Sequence, residues 1–282
     1  MSQIDRPKSG RSKTVDRPKS GRSNTIDPRA IVSPRARVGQ DVRIGPYAIV
    51  GDEVELGDGC VLHPHARVDG PARFGRENIF HPFCSVGGDP QDFTFKGERT
   101  ELVVGDTNIF HEFVTINRGT VKGGGVTRVG SHNLFLAYSH VAHDCIVGDH
   151  TLFVNGATLA GHVVVEDYAT VGAFCPVHQF CRIGRHAYIA ANTVITQDVP
   201  PFSKVVAPRE TRCYGVNKVG LERHGFSKER IRLIEQAYRF LLRSKLNTTQ
   251  ALEKMRESLD GSPDVEELIR FIESAGDRGL TK

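Results

Sequence analysis

The residues of this chain best suited to moving a proton fall at a fixed spacing. His143, Gly161 and Gln179 lie 18 residues apart, as do Asp144, His162 and Phe180, with His140 and His178 close by. An imidazole titrating near neutrality can take a proton from a hydroxyl or amine nucleophile. A carboxylate beside it can hold the working tautomer. The backbone N–H of a glycine, with no side chain to block approach, can stabilise an oxyanion. His143 as base, Asp144 as its orienting partner and Gly161 as oxyanion donor would therefore suit acyl transfer. The same residues admit a second chemistry, because clustered histidines can hold zinc; a set mixed with Gln179 lacks a clean three-histidine pattern. A third reading is solvated surface histidines, which fits His63, His81, His132, His150 and His186 about as well as any function does.

Spacing of this kind has meaning only if the backbone repeats with it. From Ile26 to about Pro200 an aliphatic residue opens each six-residue unit, and a small residue often follows. Ile44-Gly45, Val50-Gly51 and Leu56-Gly57 keep one phase; Val129-Gly130, Val141-Ala142 and Val147-Gly148 keep another. The fifth position is small or β-branched, as at Ala48, Ala66, Ala157 and Ala169. No α-helix has that period; it is the signature of a parallel β-helix. Three hexads close a triangular coil, and about nine coils stack at roughly 4.8 Å. The opening aliphatic side chain points inward, the fifth residue fits the narrow inner wall, and Gly or Asp is expected at corners that need unusual φ. In this register one corner gathers His140, His143, Asp144, His162, His178 and Gln179, with Arg118 one coil below His143 and Asn117 beside it.

Two interruptions break the beat, and long excursions from a regular scaffold usually carry function. Residues 88–103 leave the phase unchanged and read as a polar loop that replaces two walls of a coil. Residues 118–128 shift the phase by one and contain Gly123, Gly124 and Gly125, which suggests a flap or a close approach by another chain. The β-helix is expected over 26–207. Residues 208–282 read as a polar connection to about 225 followed by helices. One is capped by Ser227 and runs to about Ser244, a second starts at Thr248 or Thr249, and a third is opened by Ser262-Pro263. They are expected to cap the last coils.

Composition removes several function classes. The net charge is +4, yet residues 1–25 hold seven Lys/Arg and two Asp, so the remainder sums to −1. The basic balance belongs to a Pro/Ser/Gly/Arg tail with a near-duplicated segment (Ile4–Ser12, Val15–Ser23), expected to be disordered, and not to a nucleic-acid-binding body. No apolar run approaches the roughly 20 residues of a membrane span, and no signal peptide is evident, so no stable membrane insertion and a cytoplasmic location are expected. Five of the six cysteines (Cys60, Cys84, Cys145, Cys175, Cys181) occupy the small fifth position. Packing explains them better than disulfides or zinc.

The segments His140-Val141-Ala142-His143-Asp144-Cys145, Ala157-Thr158-Leu159-Ala160-Gly161-His162-Val163, Val177-His178-Gln179-Phe180-Cys181, Gln197-Asp198-Val199-Pro200-Pro201 and Tyr214-Gly215-Val216-Asn217 resemble the acyl-[acyl-carrier-protein]–UDP-N-acetylglucosamine O-acyltransferases of lipid A synthesis. The resemblance covers residues 26 to about 275. It implies a left-handed parallel β-helix with a C-terminal helical domain, assembled as a homotrimer with sites in clefts between neighbours. It implies transfer of a 3-hydroxyacyl group from an acyl-carrier protein to the glucosamine 3-position of UDP-N-acetylglucosamine. No metal or bound cofactor is expected, because phosphopantetheine arrives on the carrier protein. Carried over residue by residue, His143, Asp144 and Gly161 keep the roles given above. Gln91 and Asp92 would contact the sugar, with Asn117 beside it. His140, His162 and His178 would line the cleft, and Gln179, Asn217, Arg223 and His224 would hold the nucleotide end. Ala191 matches the position that limits acyl-chain length.

Several positions depart from the pattern. Asn117 stands where histidine is common, and Thr94 where a lysine near the sugar is common, with Lys96 two residues on. Val219 replaces an acid near the uridine, and His224 replaces the second of two arginines. Ala191 stands where glycine admits a longer chain. These departures leave the chain length open and keep the 3-amino sugar analogue as an alternative acceptor; a zinc-dependent carbonic-anhydrase-like β-helix is the other alternative. A sister enzyme that N-acylates the next intermediate carries an additional N-terminal domain, for which 25 residues are too few.

Overall fold

The computed structural model describes residues 23–207, 213 and 215–274. The duplicated basic segment lies outside the described residues. The chain divides between Ala207 and Pro208 into two units.

In the first unit, short parallel strands form three sheets of ten, eight and eight strands. The chain visits a first, a second and a third face in turn, as at Arg43–Ile44, Ile49–Val50 and Val54–Leu56. It then returns to the first face one coil on, so that Ile44 pairs with Leu62, Val50 with Val68 and Val141 with Leu159. This is a left-handed parallel β-helix. The opening side chains Ile44, Val50, Leu62, Val68, Val141 and Leu159 are buried along the prism axis. At mid-height Phe80, Phe110, Phe135 and Phe153 form a fully buried stack with centroids 4.8–5.2 Å apart. The five fifth-position cysteines are buried, and burial pushes the Cys84 and Cys145 thiols up to about 12.

The corners differ from the sequence-based expectation. The left-handed residue sits three places after the opener and is mostly not glycine: φ is 60° at Tyr47, 62° at His65 and 62° at Asp144. The glycine directly after the opener answers a different need. A Cβ on Gly57 would lie 2.5 Å from Gly75 O, and one on Gly45 would lie 2.9 Å from Pro64 N. Close stacking of successive coils excludes a side chain there, whatever the φ.

The first loop also differs from expectation. Val86 lies on the second face and pairs with Ile116, whereas Leu102 lies on the third face and pairs with Ala72. Both pairs are 30 residues apart, 12 more than one coil, so 89–100, between strands Ser85–Gly88 and Glu101–Val104, is an insertion at the corner between two adjacent walls. No wall is replaced. The second loop, 118–125, leaves the same corner one coil on, after strand Thr115–Asn117 and before strand Val126–Val129. The turns at 142–145 and 160–163 stack on that corner too, so one edge of the prism carries both loops and the histidine–aspartate set.

The second unit holds four helices: α1 (Lys218–Arg223), α2 (Lys228–Arg243), α3 (Thr248–Ser258) and α4 (Pro263–Glu273). The sequence pattern misses α1, whose six residues are too short to show a periodic apolar face and bury no side chain. Ser227 caps α2 by accepting from Arg230 N, and Pro263 is the first residue of α4. The cap of α3 is Asn247, in a reciprocal pair with Gln250, so Thr248 is already helical. Ala237 and Leu241 of α2 pack with Ala251, Leu252 and Met255 of α3 and with Val265, Ile269 and Ile272 of α4.

Candidate active site

Asp144 is the hub of the shared corner. Its left-handed backbone turns the side chain back under the second loop, where the carboxylate is fully buried. Oδ1 accepts from Thr120 N at 2.7 Å, and Oδ2 accepts from the Thr120 hydroxyl at 2.7 Å. The Asp144 N–H donates to Thr127 Oγ1 at 2.8 Å. Gly123 closes over the group: a Cβ there would lie 2.0 Å from Asp144 Cγ. The second loop is therefore wrapped around a carboxylate, which explains one of its three consecutive glycines.

His143 is half-buried, with Nδ1 2.7 Å from Asp144 Oδ2. Both Asp144 oxygens act as acceptors, so Nδ1 carries the proton and Nε2 carries the lone pair. That edge of the ring lies against the bare Cα of Gly161, where a Cβ would come within 2.6 Å of Cε1 and 3.0 Å of Nε2. The flanking amides are taken, Ala160 N–H by Val177 O and His162 N–H by His143 O. Among the described residues nothing accepts from the Gly161 N–H. The His143 ring thus packs against a residue whose N–H is unpaired among the described residues, an arrangement compatible with acyl transfer.

The other histidines surround this pair. His162 stacks on Phe180 at 4.7 Å and meets the His143 ring edge-on at 5.3 Å, with Nε2 3.7 Å from Asp144 Oδ2. His140, one strand back, has Nδ1 2.7 Å from Thr115 Oγ1. Burial, and then the charge of His143, holds His140 below its ordinary pKa. His178 and Gln179 are exposed on the next coil, with His178 Nδ1 3.1 Å from Gln179 O. His143, Asp144 and His162 are near enough to share an ion, but the Asp144 carboxylate already accepts three hydrogen bonds, a donor set that orients an imidazole.

Both loops bound the site from below. Asn117 donates to Asp89 O at 2.6 Å. The buried Arg118 guanidinium donates to Gly87 O at 2.7 Å and pairs with Asp89. Asp92 accepts from the Thr94 N–H and hydroxyl, and these bonds, with the charges of His143 and Lys122, lower its pKa. Gln91 is exposed beside it. The remaining candidates are not brought to this corner within the β-helix. Ala191 turns the corner after strand Tyr188–Ile189, between the first and second faces. Asn217 caps α1 by accepting from Gly220 N, Arg223 ends that helix, and His224 is its C-cap, all in the second unit. Thr120, Lys122 and Gly123 were not legible as neighbours of this pair, because an inserted loop obeys no register; Thr127 lies on the strand that follows the loop.

Fold and site together define a hexapeptide-repeat acyltransferase with a histidine–aspartate pair. The family profile described as bacterial transferase hexapeptide (six repeats) matches residues 35–70, and that described as UDP N-acetylglucosamine O-acyltransferase, domain 2, matches residues 198–281. A relative from Stenotrophomonas maltophilia, named acyl-[acyl-carrier-protein]–UDP-N-acetylglucosamine O-acyltransferase, is 50% identical over 190 residues, 67% of this chain and 72% of its own. One of the same name from Alkalilimnicola ehrlichii is 48% identical over 70% of this chain and 76% of its own. A solved UDP-N-acetylglucosamine acyltransferase from Francisella novicida is 36% identical with a TM-score of 0.64, covering 91% of this chain and 94% of that one. The chain belongs to the family of acyl-[acyl-carrier-protein]–UDP-N-acetylglucosamine O-acyltransferases, and it is an enzyme. The amine acceptor and the zinc hydratase raised by the sequence find no support among these relatives.

Proposed function

We propose that this chain transfers a 3-hydroxyacyl group from the thioester of an acyl-carrier protein to the glucosamine 3-hydroxyl of UDP-N-acetylglucosamine, the first step of lipid A synthesis. His143 Nε2 takes the proton of the sugar hydroxyl as its oxygen attacks the thioester carbonyl. The carbonyl oxygen, now negative, meets the Gly161 N–H. The tetrahedral intermediate collapses by breaking the C–S bond, and the imidazolium returns its proton to the leaving sulfur. Asp144 fixes the tautomer and stabilises the imidazolium while it lasts. Gln91, Asp92 and Asn117 are assigned to the sugar, and His140, His162 and His178 to the cleft wall. Gln179, Asn217, Arg223 and His224 are assigned to the nucleotide end and Ala191 to the end of the acyl chain. No cofactor takes part beyond the phosphopantetheine of the carrier protein.

The observation that carries this reading is the 2.7 Å contact of His143 with a buried Asp144, with the Cε1 side of the ring over Gly161. A homotrimer is part of it, because Ala191 lies on a different corner from His143 and must come from a neighbour to reach the same acyl chain. An exposed column of stacked rings supports that assembly: Tyr47, His65, Phe83, Phe113 and Tyr138 are 4.9–5.5 Å apart, a surface of the kind that partners cover. The cytoplasm is the proposed location, consistent with the absence among the described residues of a helix long and apolar enough to cross a membrane. The test offers purified protein a panel of 3-hydroxyacyl carrier-protein thioesters with UDP-N-acetylglucosamine or its 3-amino analogue, products being read by mass. His143→Ala should lower turnover by about two to three orders of magnitude, as for loss of a general base, with the assembly intact by ultracentrifugation. Undiminished transfer by that variant would remove His143 from the mechanism.

A further inference from the structure

Lys122 sits at the tip of the second loop, in a short 3-10 turn, Val121–Gly123. The turn is capped by Thr120, whose Oγ1 accepts from Gly123 N while its hydroxyl proton goes to Asp144. One hydroxyl therefore ties the position of Lys122 to the histidine–aspartate pair. From there the Lys122 ammonium reaches across to the first loop and donates to Thr94 Oγ1 at 3.1 Å. Thr94 in turn donates to Asp92 Oδ1 through its hydroxyl at 2.9 Å and its N–H at 2.7 Å. The Asp92 carboxylate and the Lys122 ammonium are thus joined through the Thr94 hydroxyl, and the turn that carries Lys122 is joined through Thr120 to Asp144.

The ammonium has three protons, and among the described residues Thr94 is its one hydrogen-bond partner, with no carboxylate paired to it. A lysine that served only to pin two loops together would gain more from a carboxylate partner. Here Asp92, on the far side of Thr94, already accepts two bonds from that threonine. The outcome is a carboxylate and an ammonium held to one threonine hydroxyl across the two loops, the complement of a sugar ring that offers hydroxyl donors and oxygen acceptors. Lys96, two residues on from Thr94, is the other lysine of this region. Its backbone N–H donates to Glu98 Oε2 at 2.8 Å, inside the first loop.

We propose that Lys122 is a substrate-binding residue, paired with Asp92 to hold the acceptor sugar, and that it supplies across the loops the cation that position 94 does not. This deepens the acyltransferase reading and rests on it. The test is a charge swap in the full-length enzyme. K122Q should raise KM for UDP-N-acetylglucosamine about tenfold or more, the loss expected when a charge-assisted hydrogen bond is removed. Its kcat should change little and its melting temperature should not move. K122R should be intermediate. T94K combined with K122Q should bring KM back to within about threefold of the wild type, because it returns an ammonium to the same space from the other loop. A K122Q enzyme with unchanged KM overturns the proposal. So does a loss that tracks the melting temperature and is not rescued by T94K, since that is the behaviour of a loop pin. His143→Ala is run in parallel: activity retained there defeats the acyltransferase mechanism, whereas an inactive His143→Ala beside an unaffected K122Q defeats only this proposal.

Discussion

Asp144→Asn tests the catalytic pair with almost no change of shape. The Thr120 N–H, 2.7 Å from Oδ1, can only donate, so the new carbonyl must take that side. The new NH2 then occupies the place of Oδ2, 2.7 Å from both the Thr120 hydroxyl and His143 Nδ1. The hydroxyl can rotate to accept. The imidazole must offer Nδ1 as an acceptor and carry its proton on Nε2, where it cannot take another from a substrate. Reversing the amide would set two donors against each other at Thr120, around a side chain with no exposure. That arrangement forfeits one buried hydrogen bond and strands a donor, at about 1–3 kcal/mol each. Recovering the working tautomer thus costs about 3–4 kcal/mol, or roughly 10²–10³-fold in kcat. Initial rates of transfer from a 3-hydroxyacyl carrier-protein thioester should show that fall, with KM within about threefold and an unchanged melting curve. A variant retaining kcat within about fivefold of wild type would mean that the carboxylate does not set the tautomer.

Three further outcomes are expected. Gly123→Ala places a Cβ 2.0 Å from Asp144 Cγ and must displace a carboxylate fixed by three bonds; kcat should drop by at least about tenfold while the protein still folds, read by steady-state kinetics beside circular dichroism. Phe110→Ala empties the centre of a fully buried ring stack and should lower stability by about 3–5 kcal/mol in denaturant titration. His63, His81 and His140 are held below their ordinary 6.5, with burial the leading cause in each. The unfolded chain then binds more protons than the folded one as pH falls through that value, so stability present above it is lost on acidification. The melting temperature should fall between pH 7.5 and 5.5, and less steeply in His63→Gln/His81→Gln; a flat profile would contradict the assigned burial effect.

Much of the scaffold was legible because a β-helix is a local repeat. Ile44, Val50 and Val141 face inward for the same reason in every coil, and an 18-residue register carries His143 over Arg118 and beneath Gly161 once the loop lengths are subtracted. The helices were legible where a cap and an apolar stripe coincide, as at Ser227 and in α2. They were not legible at α1, which has no stripe.

Where the sequence misled, a side chain met something distant along the chain. Glycine is expected at the corners for its φ, yet the left-handed corner residues are mostly not glycine, and what excludes a Cβ at Gly57 is the backbone of Gly75 in the next coil. The first loop was read as two missing walls, because a register of 18 cannot distinguish a lost wall from an insertion between adjacent ones.

The sequence by itself determined the winding of the chain and the choice of imidazole, carboxylate and bare amide at one corner, since these follow from a period counted in residues. Only the tertiary structure decided which groups hold that carboxylate and where the nearby cation comes from. Thr120, Gly123 and Lys122 lie on an inserted segment whose path is fixed by hydrogen bonds to Asp144 and Thr94 across 24 and 28 residues, and no local pattern encodes such a path.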